Sequence, residues 1–168
     1  MFSDKSMENL ILKLANVSDA TCLAQLERAA SAAPWTLQQF TDCLAEKNPA
    51  YILWENDRAI GFVIYHLIDC QCEIYNIAVH PDFQKHGWGK YLLEQVIDTA
   101  RARRCQSIFL EVRVSNQAAL ALYQKLGFNE IGIRRNYYKM SSTAREDAIM
   151  MAVDLFYDEY SSSQLSLK

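Results

Sequence analysis

The chain has 168 residues, 51% of them hydrophobic, and a formal net charge of −3. This length and composition predict a single domain over 1–168 with a substantial core at about 9–155 and flexible ends at 1–8 and 157–168. The acidic balance argues against a nucleic-acid-binding protein, which normally carries a basic excess. No apolar run reaches the roughly 18–20 residues of a membrane span, and MFSDKSMENL does not have the pattern of a signal peptide. We therefore expect a cytoplasmic protein that contacts neither nucleic acid nor membrane directly.

The cysteines are odd in number and scattered, without the paired C-x-x-C spacing that is typical of a zinc site. The sequence places them at Cys22, Cys43, Cys70, Cys72 and Cys105. We interpret them as reduced thiols, mostly in the core or in strands, and we expect no bound metal.

The first half of the chain alternates strand-like and helix-like segments. NLILKLA predicts a strand, and VSDATCLAQLERAA predicts a helix with Ser18 or Asp19 as its N-cap. The residues expected to face inward from this helix are Cys22, Leu23, Leu26 and Ala30. PWTLQQFTDCLAE predicts a second helix capped by Thr36, and AYILWE, AIGFVIYHLI and CEIYNIAV predict three strands in antiparallel hairpins.

The second half predicts a crossover. A helix over 88–103 presents one apolar stripe, formed by Trp88, Leu92, Leu93, Val96, Ile97 and Ala100. SIFLEVR follows as a strand, and NQAALALYQKL follows as a helix that Gly127 stops in the C′ position. A strand, helix, strand run implies a right-handed crossover and a parallel pair at the centre of the sheet. Two further strands near 128–135 and 146–155 complete an α/β domain.

The segment QKHGWGKYLLEQVI leads from the strand EIYNIAV into the predicted helix, and its first six residues form the pattern Q-x-x-G-x-G. Glycines at a helix N-terminus leave backbone N–H groups unobstructed, and these groups with the positive end of the helix dipole suit a phosphate. A Walker A loop is excluded, because Gln84 stands where its first glycine should be and Tyr91 follows Lys90. A dinucleotide fingerprint begun at Gly87 fails because position 92 is a leucine.

Four segments in order resemble the GCN5-related N-acetyltransferase (GNAT) superfamily, over roughly residues 9–155. They are PW, NIAVHPDFQKHGWGKYLLE, LEVRVSNQAALALYQKLGF, and RRNYY followed by REDAIMM. Within the superfamily, the match resembles the bacterial enzymes that acetylate the N-terminal alanine of a small-subunit ribosomal protein. The resemblance implies a single-domain fold with a mixed central sheet of about seven strands and helices on both faces. It also implies acetyl-CoA as the acetyl donor.

The resemblance assigns binding of acetyl-CoA to two stretches and one further residue. The backbone of Ile77, Ala78 and Val79 is expected to bond the pantetheine arm, as a peptide adds to a strand edge. Asn116 is expected to contact coenzyme A. The pyrophosphate is expected on the backbone N–H groups of the loop, whose members are Gln84, Lys85, His86, Gly87, Trp88, Gly89 and Lys90.

The resemblance also implies the catalytic pair, with Glu111 as general base and Tyr123 as general acid toward the departing thiolate. A carboxylate in the middle of a covered sheet costs several kcal/mol unless it is paired or lies in a cleft. A salt bridge from Glu111 to Arg113, two residues along on the same face, is therefore an open structural alternative. Asn116 and Tyr123 lie seven residues apart and so project from nearly the same helix face; a helix cap and a core tyrosine are their structural alternatives.

The acceptor is the least specified part of the prediction. Deprotonating an α-amino group of pKa ~7.8 at pH 7 costs about 1 kcal/mol, against about 4.6 kcal/mol for a lysine of pKa ~10.4. Trp35 and Tyr138 are candidate substrate contacts, because their segments border the peptide groove in the enzymes this chain resembles. Acidic residues such as Glu46, Asp69 and Glu73 could face a basic peptide.

Three other readings stay open at this point. The acceptor could be a lysine side chain or a small-molecule amine, or the chain could be a non-catalytic regulator that binds acyl-CoA. A cysteine relay would need a thiol beside a histidine at the thioester, and Cys70, Cys72 and His66 are close only in sequence. We expect a monomer or weak dimer.

Overall fold

The computed structural model describes residues 9–155, and the predicted flexible ends at 1–8 and 157–168 lie outside them. The helices are α1 (Ala20–Ala30), α2 (Leu37–Ala45), α3 (Trp88–Ala102) and α4 (Gln117–Lys125). The strands are β1 (Leu10–Leu14), β2 (Ala50–Glu55), β3 (Arg58–Ile68), β4 (Gln71–Val79), β5 (Ser107–Arg113), β6 (Asn129–Lys139) and β7 (Arg145–Asp154). None of the helices within 9–155 is long and apolar enough to span a membrane.

Backbone hydrogen bonds join the strands into one mixed sheet in the order β1-β2-β3-β4-β5-β7-β6. The pairs β1–β2, β2–β3, β5–β7 and β6–β7 are antiparallel, whereas β4 and β5 are parallel. The predicted central parallel pair is thus confirmed. Its register runs from Gln71 opposite Ser107 to Ile74 opposite Leu110, and so ends before Val79 and before Glu111.

The chain divides into two compact units, each with its own internal packing. Within the described residues, the first comprises 9–65 and 75–94, and α1 and α2 contribute to its core. An aromatic series runs from Trp35 to Phe40 at 5.3 Å and from Phe40 to Phe62 at 5.6 Å between ring centroids. Glu27 is buried beside it, and its Oε2 accepts a hydrogen bond from the backbone N–H of Trp35 at 2.9 Å. This bond fixes the chain where it enters α2.

One of the two helix caps predicted for this unit is formed as expected, and the other is not. Thr36 forms the predicted cap of α2, in a reciprocal capping box with Gln39. Asp19 occupies the N-cap position of α1 but makes no cap hydrogen bond with its side chain. Its carboxylate instead accepts from the backbone N–H of Asn16 at 2.8 Å, within a 3₁₀ turn at Val17–Asp19. The preceding turn therefore uses the carboxylate that was expected to cap α1.

The buried face of α1 is also wider than predicted. Leu23 and Leu26 are buried as expected, together with Ala20, Ala24 and Glu27. Cys22 and Ala30 are only partly buried, so the prediction that both face the core is not fully met. By contrast, every residue of the predicted apolar stripe of α3 is buried, from Trp88 to Ala100.

The second unit comprises 66–74 and 95–155 and is built on β5, β7 and β6. Along β5, Ile108, Leu110 and Val112 are buried, and the residues between them are half-buried. β6 extends to Lys139, four residues beyond the predicted end of the strand near 135. Its register against β7 shifts between Arg134 and Tyr138, where Asn136 adopts a φ of 54°. The bulge lets the strand continue past the point where a regular ladder would end.

Substitution of Gly127 tests whether the positive φ after α4 requires a glycine. It follows α4 with a φ of 89°, and a Cβ built there would lie 3.6 Å from Val153 Cγ2, an ordinary contact. Gly127→Ala is expected to lower the free energy of unfolding by about 1 kcal/mol, because L residues are disfavoured at positive φ. Gly127→Asn is the matched control, since asparagine tolerates this conformation and should cost less. Equal losses for both variants in urea unfolding would mean that crowding, rather than backbone conformation, requires the glycine.

Candidate active site

The junction between β4 and α3 lies in the first unit and holds most of the predicted acetyl-CoA contacts. The chain passes from Val79 through a 3₁₀ turn at Pro81–Phe83, then a short turn, and enters α3 at Trp88. The Gln84 side chain donates a hydrogen bond from Nε2 to the backbone carbonyl of Val79 at 3.0 Å. The glutamine of the Q-x-x-G-x-G pattern therefore ties the loop to the end of the strand.

The loop backbone has the conformation that an anion-binding loop requires. Lys85 and Gly87 both have positive φ values, 63° and 87°, while the chain turns into the helix between Gly87 and Gly89. Alternation of left-handed residues with ordinary ones turns successive N–H groups toward one concave side. The N–H of Tyr91 donates to the carbonyl of Gly87 at 3.0 Å, which begins the helical ladder. The loop thus fits a pyrophosphate at a helix N-terminus.

Three side chains of the loop, those of Trp88, Lys90 and His86, contact other groups of the protein. Trp88 is buried and packs edge-on against Tyr91 at 6.3 Å, so its indole belongs to the core. The ammonium of Lys90 lies 3.4 Å from the carboxylate of Glu94, one turn along α3. His86 Nδ1 lies 2.8 Å from the carbonyl oxygen of Gln84, and Lys85 is exposed.

The strand that precedes this loop is partly buried. Ala78 packs against the core cluster of α1 and α2, and its carbonyl oxygen lies 3.2 Å from the position of a Cβ at Gly61. The side-chain nitrogen Nδ2 of Asn76 is buried without a hydrogen-bond partner among the described residues. The predicted role of Ile77, Ala78 and Val79 in binding the pantetheine arm remains a prediction.

Glu111 lies on β5 in the second unit, and its partner differs from the one proposed from sequence. Its Oε1 is 2.8 Å from Nη1 of Arg134, which reaches it from β6. The suggested pair with Arg113 is wrong. The guanidinium of Arg113 instead lies 4.0 Å from Glu146, whose carboxylate also accepts the backbone N–H of Ser115 at 2.6 Å. Hydrogen bonding by Ser115 lowers the pKa of Glu146, which stays ionised beside Arg113.

Two tyrosines of β6 also contact Glu111. The hydroxyl of Tyr138 donates to the backbone carbonyl of Glu111 at 3.3 Å. Burial, and then the charge of Glu111, raise the pKa of Tyr138 to about 12. The Tyr137 ring packs edge-on against Tyr138 at 5.1 Å, and its pKa is raised by burial and then by its hydrogen bond to Glu111. The backbone and side chain of Glu111 are thus both bonded by residues of one strand.

Tyr123 lies in α4 and is 5% exposed. Its ring packs against Phe128 at 5.8 Å. Burial, followed by the nearby phenol of Tyr138, raises its pKa well above the usual tyrosine range, so the phenol keeps its proton at neutral pH. Tyr138 therefore contacts the base candidate and lies close to the acid candidate.

Asn116 and Trp35 both have structural roles. The Asn116 side chain caps α4, accepting the N–H of Ala119 at 3.2 Å, which is the cap foreseen as its alternative. Trp35 packs in the aromatic core of the first unit. The predicted contacts of Asn116 with coenzyme A, and of Trp35 and Tyr138 with the acceptor, remain predictions.

A cavity of about 240 Å³ within the second unit adds features that sequence reasoning missed. Its lining includes Glu73, Phe109, Glu111, Ile131, Arg134 and Met150. Arg134 stands in the RRNYY segment, but nothing in the sequence indicated its partner. The pairing depends on β6 and β5 being separated only by β7, which chain order does not reveal.

The contacts of the cysteines give little support to a cysteine relay. Burial, and then the neighbouring Cys105, raise the pKa of Cys72 to about 12, so at neutral pH it carries almost no nucleophilic thiolate. All five cysteines are free thiols. Between residues 9 and 155, no three His, Cys, Asp or Glu side chains lie close enough together to hold a metal ion.

Comparisons with known proteins identify the family of this chain. Residues 15–128 match the model of the acetyltransferase (GNAT) family. The chain is 40% identical to the ribosomal protein bS18-alanine N-acetyltransferase of Salmonella typhimurium, covering 86% of this chain and 97% of the relative. It is 41% identical to the enzyme of that name from Escherichia coli K12, over 82% and 93% of the two chains. The crystal structure of the Escherichia coli ribosomal-protein-S18-alanine N-acetyltransferase superposes with a TM-score of 0.80 at 38% identity, over 87% of this chain and 94% of that one.

The raised pKa of Tyr138 predicts how stability changes at high pH. An unfolded tyrosine ionises near pKa ~10, so above that pH unfolding lets Tyr138 release a proton that the folded protein retains. Its contribution is complete below about pH 10 and is lost as the pH rises toward the folded value of about 12. Tyr138→Phe should therefore make the fall in stability less steep, by at most about 1.4 kcal/mol per pH unit. Urea unfolding across this pH range measures the slope, and an unchanged slope would contradict the assignment.

Proposed function

Since the chain belongs to the acetyltransferase (GNAT) family and is an acetyl-CoA-dependent N-acetyltransferase, we propose that its acceptor is the N-terminal alanine of a small-subunit ribosomal protein. The support is the identity of 40% and 41% to enzymes named for bS18, over nearly the whole length of each. A ribosomal acceptor would be acetylated in the cytoplasm. The expectation of a monomer or weak dimer stays a prediction.

The observation that carries the proposed chemistry is the presence in the second unit of two groups with the properties that the reaction needs. Glu111 is an ion-paired carboxylate whose side chain is only 17% exposed, and Tyr123 is a buried phenol that keeps its proton. Direct acetyl transfer requires one group that removes a proton from the amine and another that protonates the thiolate. Glu111 suits the first role and Tyr123 the second.

The proposed reaction needs no acyl-enzyme. The neutral amine attacks the thioester carbonyl, and an oxyanion develops on the carbonyl oxygen. Glu111 takes the proton that the attacking nitrogen releases. As the C–S bond breaks, Tyr123 donates its proton to sulfur and free coenzyme A thiol leaves. Burial keeps the phenol protonated until the thiolate forms, because desolvation disfavours the charged phenolate.

A rival acceptor would be a lysine side chain or a small amine. At neutral pH an α-amino group is about 3.6 kcal/mol easier to deprotonate than a lysine, by the difference between pKa ~7.8 and ~10.4. This difference in deprotonation cost favours a terminal α-amine.

The acceptor is tested by release of coenzyme A thiol with three matched substrates. They are a peptide that begins with alanine, the same peptide blocked at its N-terminus but containing lysine, and a polyamine. We expect turnover only with the free alanine terminus. Turnover with the blocked peptide or the polyamine would retain the cofactor and family but replace the proposed acceptor.

The catalytic pair is tested by substitutions that keep size and remove the proton transfer. Glu111→Gln and Tyr123→Phe are each expected to lower kcat by about 10²–10⁴-fold, the usual contribution of a positioned acid or base. The KM for acetyl-CoA should change little. Glu130→Gln makes the same chemical change at an exposed position of β6 and serves as the control. Wild-type kcat in Glu111→Gln or Tyr123→Phe would overturn the corresponding role.

A further inference from the structure

The bulge in β6 brings three side chains to one residue, Glu111. After a first shift between Glu130 and Gly132, the β6–β7 register is regular from Gly132 opposite Met150 to Arg134 opposite Ala148. It resumes at Tyr138 opposite Glu146. Between these pairs, the N–H of Asn136 donates to Asp147 at 2.7 Å, and the guanidinium of Arg145 donates to the Asn136 carbonyl at 3.2 Å. Two contacts from β7 therefore fix the bulge itself.

The side chains on either side of the bulge converge on Glu111. Arg134 bonds the carboxylate, Tyr137 shares a hydrogen bond with it, and Tyr138 bonds the backbone carbonyl of the same residue. The guanidinium of Arg134 also lies 5.4 Å from the centre of the Tyr137 ring, which holds it by a cation–π contact. Each partner of Glu111 is thus itself held in place.

We propose that Arg134 is the positioning residue for Glu111, and that the β6 bulge fixes the guanidinium so that the carboxylate points in one direction for proton removal. The proposal rests on the proposed role of Glu111 as the general base. A distance of 2.8 Å is that of a charge-assisted hydrogen bond, which is directional. Such a bond selects one rotamer of a glutamate that could otherwise adopt several.

Stability does not account for this contact. Arg134 has a side-chain exposure of 52%, and an ion pair this open contributes little to folding because solvent screens it. Orientation matters more to the reaction, because a displacement of about 1 Å in a reacting group can reduce the rate about 100-fold. The expected consequence of losing Arg134 is therefore kinetic.

A double-mutant cycle tests the coupling. Arg134→Gln, Glu111→Gln and the double variant are compared for kcat, for KM of acetyl-CoA and for KM of the alanine peptide. Arg134→Gln should lower kcat by about 10- to 100-fold and leave both KM values near wild type. Arg134→Lys should recover part of kcat, since an ammonium still donates one hydrogen bond without the planar fork. Arg135→Gln removes the next, exposed arginine of β6 and is the matched control.

The decisive comparison is made in the Glu111→Gln background. If Arg134 acts through Glu111, Arg134→Gln has no further effect there, and the two losses are strongly non-additive. Equal losses in both backgrounds, a rise confined to the KM of the peptide, or wild-type kcat in Arg134→Gln would each overturn the proposal. Wild-type kcat in Glu111→Gln alone would instead overturn the catalytic base itself, which keeps the two failures distinct.

Discussion

The ion pair between Glu111 and Arg134 is the interaction on which the proposed chemistry of this protein depends. A carboxylate on an interior strand is unfavourable unless a cation or hydrogen-bond donors compensate it. Here the cation comes from β6, separated from β5 by β7. The strand order thus brings the guanidinium to the carboxylate, at the side of a cavity that both residues help to line.

The same constraint explains why β6 departs from a regular ladder. A regular strand sends successive side chains to opposite faces, so Tyr137 and Tyr138 would not both lie near Glu111. The register shift between Arg134 and Tyr138 removes that restriction. Bulges commonly redirect side chains beside active sites, and this one has its own hydrogen bonds at Asn136. The hydrogen bonds around Asn136 indicate that the irregularity is a stable part of the fold.

The loop from Gln84 to Lys90, predicted to bind the pyrophosphate, differs from this pair because its predicted ligand groups are backbone atoms. Positive φ values at Lys85 and Gly87 shape the N–H groups, and Gln84 anchors the loop to Val79. The side chains at the x positions of Q-x-x-G-x-G can then pack in the core, as that of Trp88 does. A loop of this kind is recognised by its glycines and by its place between strand and helix, which are features that a sequence displays directly. The candidate base Glu111 and the candidate acid Tyr123, by contrast, lie close to residues of β6 that are distant in the chain.

The sequence by itself determined the order of the elements, the apolar stripe of α3, the cap at Thr36, the stop at Gly127 and the loop from Gln84 to Lys90, because each depends on residues within about one turn or one strand. Its resemblance to an acetyltransferase family supplied Glu111 and Tyr123 as candidates. Only the tertiary structure decided that Glu111 pairs with Arg134 rather than Arg113, that Asp19 bonds the turn before α1, and that β6 bulges at Asn136. The physical reason is that ion-pair partners and burial are fixed by strand order and packing, which bring together residues that local periodicity cannot relate.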